Sequence, residues 1–133
     1  MASREAVPLQ GKPLVLVVED NADNMRLIND LLEVYNIHVI QAVNPAAALT
    51  ALQKQKPDLI LMDISLQGTD GLTFTRMLKG DPGTRDIPIV ALTAHAMKQD
   101  RDNAYKAGCD GFIAKPIDTR ALPELIHKFL RRD

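Results

Sequence analysis

The chain of 133 residues, with a formal net charge of −1, is long enough to form a single domain with its own hydrophobic core. No block of like charges forms a basic stripe or a charged tail, which argues against nucleic-acid and membrane-surface partners. Cys109 is the lone cysteine, so no internal disulfide is available, and no N-terminal apolar stretch is typical of a signal peptide or a membrane span, which together favour a soluble cytoplasmic protein.

Residues 1–12 show no hydrophobic periodicity, and we expect a flexible tail there, followed by one domain over 13–133. From Pro13 onward, short apolar runs alternate with segments whose apolar residues recur at helical spacing, which predicts five strands and five helices. The first run, 14–18, is continuously apolar and is followed directly by Glu19 and Asp20. Such runs are typical of parallel strands that helices cover on both faces.

The second strand is predicted over 37–41, where polar residues interrupt the apolar ones, as expected of an edge strand. Asn44 and Pro45 then match the N-cap and the first helical position of a helix. That helix should end before Lys56-Pro57, because the residue before a proline resists the helical conformation.

The three remaining apolar runs are each followed by a polar residue: 59–62 by Asp63, 89–92 by Thr93 and 112–114 by Lys115. Gly108 is predicted to close the fourth helix, and Asp118 is predicted to cap the fifth.

These elements predict an α/β fold with a doubly wound, five-stranded parallel sheet in the order 2-1-3-4-5, as in flavodoxin-like folds. With right-handed crossovers, this order puts strands 1 and 3 side by side. Ligands of such sheets bind in the crevice outside the carboxyl ends of the strands. We therefore expect Glu19, Asp20 and Asp63 to lie together at that edge. Thr93 and Lys115 should lie beside them.

Three carboxylates in one crevice repel one another, so the pattern predicts a cationic partner. Mg²⁺ suits the site best, because this ion prefers oxygen ligands and binds through few carboxylates together with phosphoryl oxygens. Lys115 adds a positive charge and Thr93 a hydroxyl donor. Each residue alone also has an ordinary interpretation, such as a solvated acidic cap, a helix cap or a surface lysine. Their joint occurrence favours a magnesium-assisted phosphoryl site.

Over residues 13–131 the chain resembles the receiver domain of two-component response regulators. The resemblance rests on four segments in order at the strand ends: Val17-Val18-Glu19-Asp20-Asn21, Leu61-Met62-Asp63-Ile64 with Asp70-Gly71, Ala91-Leu92-Thr93-Ala94, and Lys115-Pro116. Each segment alone is a weak signal, whereas all four in order are specific. Residues 93–97 are also similar to receivers of hybrid kinases and to single-domain regulators. One departure is Gln67, which stands where the family usually has proline.

The resemblance implies that Asp63 is the phosphoacceptor and that Glu19 and Asp20 are acidic ligands of Mg²⁺. It also implies that Ser65 binds the ion through its backbone carbonyl.

Further along the chain, the resemblance implies that Thr93 and Lys115 hold the phosphoryl group. Phe112 would be the aromatic switch residue that turns inward when Thr93 moves. A cis peptide bond is implied at Lys115-Pro116.

These roles describe a signalling switch of a two-component phosphorelay. The expected chemistry is limited to self-phosphorylation and autodephosphorylation, so we do not expect an enzyme. The phosphoryl donor would be a histidine kinase or a histidine phosphotransfer protein. The change would pass to the face formed by the fourth helix, the fifth strand and the fifth helix, where a downstream protein partner would bind.

Two other classes of protein share parts of this pattern. A Mg²⁺-dependent phosphatase of the haloacid dehalogenase type also forms an aspartyl phosphate, but it needs a second acid two residues after the nucleophile, where this chain has Ser65. A flavodoxin-like cofactor-binding module would need a loop rich in Ser, Thr and Gly after the first strand, where Glu19 and Asp20 would repel a phosphate. An absorption spectrum of the purified protein distinguishes the second alternative.

Overall fold

The computed structural model describes residues 12–64, 71–94 and 97–130, and strands and helices alternate along them. The strands are β1 (Leu14–Val18), β2 (His38–Ala42), β3 (Leu59–Asp63), β4 (Ile89–Thr93) and β5 (Gly111–Ala114). The helices are α1 (Ala22–Val34), α2 (Pro45–Lys54), α3 (Gly71–Gly80), α4 (Lys98–Ala107) and α5 (Ala121–Leu130). The predicted count of five strands and five helices is confirmed. In this described part of the chain, no helix is long and apolar enough to cross a membrane.

All strand pairs are parallel, and the sheet order is β2-β1-β3-β4-β5, as predicted. β2 lies at one edge, and its His38 and Gln41 are exposed, which confirms the edge strand expected from its mixed composition. Because the strands are parallel, the carboxyl ends of all five lie on one side of the sheet. We call that side the carboxyl edge.

Side chains of the strands alternate between two apolar layers. In β1, Leu16 and Val18 pack with buried residues of α2, α3 and α4, whereas Val15 and Val17 pack with buried residues of α1 and α5. Burial of apolar surface contributes about 25 cal/mol per Å² and is the main force holding helices to the sheet. Because helices cover both faces, the carboxyl edge is supported by a packed frame.

The predicted helix ends are also present. The Asn44 side chain accepts a hydrogen bond from the Ala47 N–H over 2.8 Å, and the Asp118 side chain accepts one from the Arg120 N–H over 2.8 Å. Gly108 ends α4 with a φ of 112°, a left-handed conformation that glycine adopts without a steric penalty.

The division into a tail over 1–12 and a domain over 13–133 stays a prediction, because residues 1–11 lie outside the described part of the chain. The same holds for the loop that contains Gln67.

Candidate functional site

The strand register places Glu19 beside Asp63. β1 and β3 pair up to Val18 with Met62, so the next residue of each chain segment is acidic. One carboxylate oxygen from each of Glu19, Asp20 and Asp63 lies within 4.8 Å of the other two. The structure thus brings together the three acids that the sequence predicts at the carboxyl edge.

Lys115 reaches the same acids from the far side of β4. Its Nζ lies 3.0 Å from Asp63 Oδ2 and 3.1 Å from Glu19 Oε1. The side chains of Glu19 and Asp63 are 0% and 2% exposed, and that of Lys115 is 14% exposed. The Lys115 backbone N–H also donates to the Thr93 carbonyl over 2.7 Å, which fixes the end of β5 against the end of β4. The Lys115–Pro116 peptide bond is cis, as the resemblance implies.

Glu19 lies in an environment that disfavours its charge. Burial raises the pKa of Glu19 above its ordinary value of 4.5, and the neighbouring Asp63 carboxyl raises it further. The Asn21 N–H, which donates to Glu19 Oε2 over 3.1 Å, and the Lys115 ammonium offset only part of this effect. Glu19 Oε1 is buried and accepts no hydrogen bond from the residues that the structure describes, although Lys115 Nζ lies close to it. The charge of the Glu19 carboxylate is therefore only partly compensated.

Lys115 is a stable cation in this site. Burial by itself lowers the pKa of the Lys115 ammonium, but hydrogen bonds to Asp63 and Glu19 outweigh burial and raise it above its ordinary value of 10.5. The ammonium therefore stays protonated throughout the neutral pH range.

The three acids fit a hard divalent cation. Their donor atoms are all carboxylate oxygens, which are ligands that Mg²⁺ prefers. Lys115 places one ammonium against the two buried carboxyl groups of Glu19 and Asp63, and Glu19 Oε1 accepts no hydrogen bond from the described residues. Asp20 is exposed, and a cleft of about 440 Å³ opens beside it and Glu19, so that solvent reaches the cluster. Glu19, Asp20 and Asp63 are together able to hold a metal ion.

Thr93 and Phe112 belong to β4 and β5, the two strands on the Lys115 side of the sheet. Thr93 is the last residue of β4, is buried, and pairs with Ala114 of β5. Phe112 pairs with Ala91, packs half-buried against the core, and also lines a groove of about 600 Å³ between β5 and α5. Thr93 thus lies at the carboxyl edge, and Phe112 belongs to the face formed by α4, β5 and α5. The switch roles that the resemblance implies for them stay predictions.

Ser65, the predicted backbone ligand, lies outside the described residues, and its role also stays a prediction. Two contacts at the site are absent from the sequence-based expectations. The first is the Asn21 N–H on Glu19. The Asn21 side chain also caps α1 by accepting from the Asn24 N–H over 2.9 Å, so the N-cap signal of an asparagine before an amphipathic helix would have indicated its place. The second is a close approach of Gly71 to the backbone after β3. No linear pattern reports a distance between two backbones.

Comparison with known proteins identifies relatives of this chain. The family model described as the response regulator receiver domain matches residues 15–127. The chain is 42% identical over 116 residues to the polar-differentiation response regulator DivK of Brucella anthropi, and the match covers 87% of this chain and 94% of that protein. It is 41% identical to the protein of the same name from Brucella ovis, with the same shares covered.

Solved structures agree with these sequence matches. The receiver domain of a sensor histidine kinase from Pseudomonas aeruginosa is 31% identical, with a TM-score of 0.82 over 91% of this chain and 99% of that one. That structure has a magnesium ion coordinated in its active-site cleft. A response regulator from Thermotoga maritima is 28% identical, with a TM-score of 0.83 and the same coverage. The predicted flavodoxin-like fold with strand order 2-1-3-4-5 is confirmed.

Proposed function

The chain belongs to the family of response regulator receiver domains of two-component systems, and on this basis we propose that it is a phosphoryl-accepting switch with Asp63 as the acceptor. The donor would be a histidine kinase or a histidine phosphotransfer protein, and the output would be the binding of a downstream protein. Each phosphoryl group received would switch the chain once. The only reactions it would catalyse are its own phosphorylation and dephosphorylation.

One observation carries this proposal. Lys115 Nζ bridges two buried carboxyl groups, 3.0 Å from Asp63 and 3.1 Å from Glu19, at the edge where ligands of parallel sheets bind. An ion pair of Lys115 with one carboxylate that served stability alone would not need further acids beside it. Each additional negative charge at this place opposes folding. The cluster of acids suits a divalent cation, and a bound cation would in turn attract the negatively charged oxygens of a phosphoryl group.

The metal ligands would be the carboxylates of Glu19, Asp20 and Asp63 and the backbone carbonyl of Ser65. Bound Mg²⁺ would neutralise the acids and draw negative charge from the phosphoryl oxygens. Two features of this chain support Mg²⁺: the three carboxylate ligands and the only partly compensated charge of Glu19. The magnesium ion in the Pseudomonas aeruginosa receiver domain supports it as well.

Asp63 would act as the nucleophile. A carboxylate oxygen of Asp63 forms a bond to phosphorus while the bond from phosphorus to the donor's imidazole nitrogen breaks, and the electron pair of that bond stays on the nitrogen. Lys115, already within 3.0 Å of Asp63, would shift its hydrogen bond to a phosphoryl oxygen as negative charge moves onto that group. Because these charges are arranged before the donor arrives, little reorganisation is needed during transfer.

Thr93 and Phe112 would pass the signal on. The Thr93 hydroxyl would donate to a phosphoryl oxygen, and Phe112 would turn into the space that Thr93 vacates. The face that then changes contains α4, β5 and α5. It carries exposed Met97 and Tyr105 at α4 and the groove of about 600 Å³ beside Phe112. Exposed large apolar side chains next to a groove suit a protein partner.

Labelling with a small phosphodonor tests the proposal. Incubation with acetyl phosphate and Mg²⁺ should add one phosphoryl group, measured by intact mass, and hydroxylamine should remove it because an acyl phosphate is labile to that reagent. Asp63→Asn keeps the side-chain shape and should abolish the added mass. Asp86→Asn, a change at an exposed acid before β4, should label as the wild type does. Equal labelling of Asp63→Asn and the wild type would refute Asp63 as the acceptor.

A further inference from the structure

Gly71, the first residue of α3, lies against the backbone that follows the proposed acceptor. A Cβ atom added at Gly71 would lie 2.6 Å from Ile64 Cα and 2.7 Å from the Asp63 carbonyl oxygen, whereas ordinary contacts begin at 3.4 Å. Both atoms belong to the backbone, so neither can rotate away as the end of a side chain would. The requirement for glycine is steric, because among the described glycines a positive φ occurs at Gly108 alone.

The same stretch of backbone is also held from the opposite side. Asp63 pairs with Leu92 in the sheet, and the Ile64 N–H donates to the Leu92 carbonyl over 3.0 Å. The peptide that leaves Asp63 therefore lies between β4 on one side and Gly71 on the other. A displacement of this backbone caused at Gly71 would therefore disturb the sheet contact or the acceptor itself.

The start of α3 is itself fixed. The Thr75 hydroxyl, which is buried, donates to the Gly71 carbonyl over 2.9 Å. Phe74, from the same turn, is buried in the core layer that includes Met62 of β3. The hydrogen bond lies within α3, and the packing of Phe74 holds this turn of the helix in the core layer of the acceptor strand.

We propose that Gly71 is a positioning residue for the phosphoryl-transfer site. By letting α3 approach the backbone at Asp63 and Ile64, it sets the position of the Asp63 carboxyl relative to Lys115. This inference rests on the proposed function of Asp63 and adds a residue that touches neither the phosphoryl group nor the metal ion.

The test compares two glycine substitutions in the same helix. Gly71→Ala needs a shift of several tenths of an ångström to relieve its contacts, whereas a Cβ at Gly80 meets nothing within 4 Å. Since a misplacement of about 1 Å costs roughly 10²-fold in rate, Gly71→Ala should be labelled about tenfold or more slowly at saturating acetyl phosphate, whereas Gly80→Ala should match the wild type. The Mg²⁺ dissociation constant, from an NMR titration that needs no phosphodonor, should rise in Gly71→Ala alone.

The controls separate the inference from the proposed function. If the wild type itself does not label at Asp63, the proposed function fails. If the wild type labels and a folded Gly71→Ala labels equally fast with unchanged Mg²⁺ affinity, the positioning role alone is overturned. Should Gly71→Ala not fold, Thr75→Val decides, because it removes the hydroxyl that bonds to the Gly71 carbonyl without adding a Cβ at Gly71. Slower labelling of Thr75→Val then supports the role, and labelling at the wild-type rate overturns it.

Discussion

At the scale of single residues, the contrast between the buried Glu19 and Asp63 and the exposed Asp20 decides how the site behaves. An ionised carboxylate loses several kcal/mol of solvation on burial unless a cation compensates it. Lys115 compensates part of this loss for Glu19. The pKa of Glu19 is nevertheless raised, so the compensation is incomplete. Asp20 adds negative charge at the mouth of the cluster without filling any of the core. Its removal therefore changes the electrostatics of the site without leaving a cavity.

Asp20→Ala tests this reasoning. The metal-free variant should be as stable as the wild type or more stable, by up to ~1 kcal/mol, because a repulsive charge has gone from an exposed position. Its Mg²⁺ affinity should fall about tenfold, equivalent to ~1.4 kcal/mol. Thermal unfolding with and without Mg²⁺ measures both effects. Asp86→Ala, at an exposed acid before β4, is the matched control and should leave the Mg²⁺-induced rise in Tm unchanged. An unaltered Mg²⁺ titration in Asp20→Ala would remove Asp20 from the metal site.

At the scale of elements, β4 and α4 differ sharply in how firmly they are held. Every residue of β4 is buried, whereas in α4 the buried residues are Ala104 and Ala107. Two small side chains contribute little burial energy, so α4 is anchored more weakly than the strand that precedes it. A helix that is weakly held beside a buried strand end is suited to shift when Thr93 acquires a new hydrogen-bond partner.

The energy available from Thr93 sets the size of that response. A hydrogen bond to a charged group contributes roughly 1.5–3 kcal/mol. A change in population from 1:99 to 99:1 requires about 5.5 kcal/mol of differential interaction. Thr93 alone is therefore insufficient, and contacts of Lys115 and packing of Phe112 would have to supply the rest.

Thr93→Ala should accordingly still accept a phosphoryl group at Asp63 but convert only part of the population to the active form. The measurement is the change in amide NMR shifts of α4 on saturation with beryllofluoride and Mg²⁺, which should be smaller in the variant than in the wild type. Labelling by acetyl phosphate serves as the control for an intact acceptor. An identical shift in both proteins would mean that the Thr93 hydroxyl has no part in the signal.

At the scale of the whole molecule, the site exists only because three strand ends meet. Glu19 follows β1, Asp63 ends β3 and Lys115 follows β5, and Lys115 lies 96 positions after Glu19 in the sequence. The two apolar layers hold these strand ends in place. The electrostatics of the site are thereby coupled to the stability of the fold.

Lys115→Met measures that coupling. The substitution retains an unbranched side chain but leaves Glu19 and Asp63 buried without their ammonium, and loss of one partner from a buried pair costs about 3–5 kcal/mol. The free energy of unfolding in urea at neutral pH and without Mg²⁺ should fall by about that amount. Lys106→Met, at an exposed position of α4, should change it little.

The loss of unfolding free energy in Lys115→Met should become smaller as the pH falls. The raised pKa of Glu19 means that this group favours the fold when protonated, so its contribution is full below pH 4.5 and is lost as the pH rises through the folded-state value. The raised pKa of Lys115 means that its contribution is present below pH 10.5 and lost above the folded-state value. The difference in the free energy of unfolding between wild type and Lys115→Met should therefore be large near neutrality and shrink as the pH falls toward 4.5. A difference that stays constant over this range would show that the ion pairs do not govern it.

Much of this structure could be read from local patterns. Apolar runs and helical periodicity are properties of neighbouring residues, so the five strands, the five helices, the edge position of β2 and the caps at Asn44, Gly108 and Asp118 were all predictable. The meeting of Glu19, Asp20 and Asp63 was also predictable, because right-handed crossovers restrict the strand order and therefore which strand ends become neighbours.

Only the tertiary structure decided the quantities that depend on distances between distant segments. The sequence predicts that Lys115 lies near Asp63, but the packed sheet determines that its ammonium also contacts Glu19 and leaves Glu19 Oε1 without a hydrogen bond from the described residues. The approach of Gly71 to the backbone after β3 is of the same kind. Local patterns specify elements because they depend on periodicities along the chain. Contacts at the site depend on ångström-scale packing of several elements at once, and that packing is a property of the folded molecule.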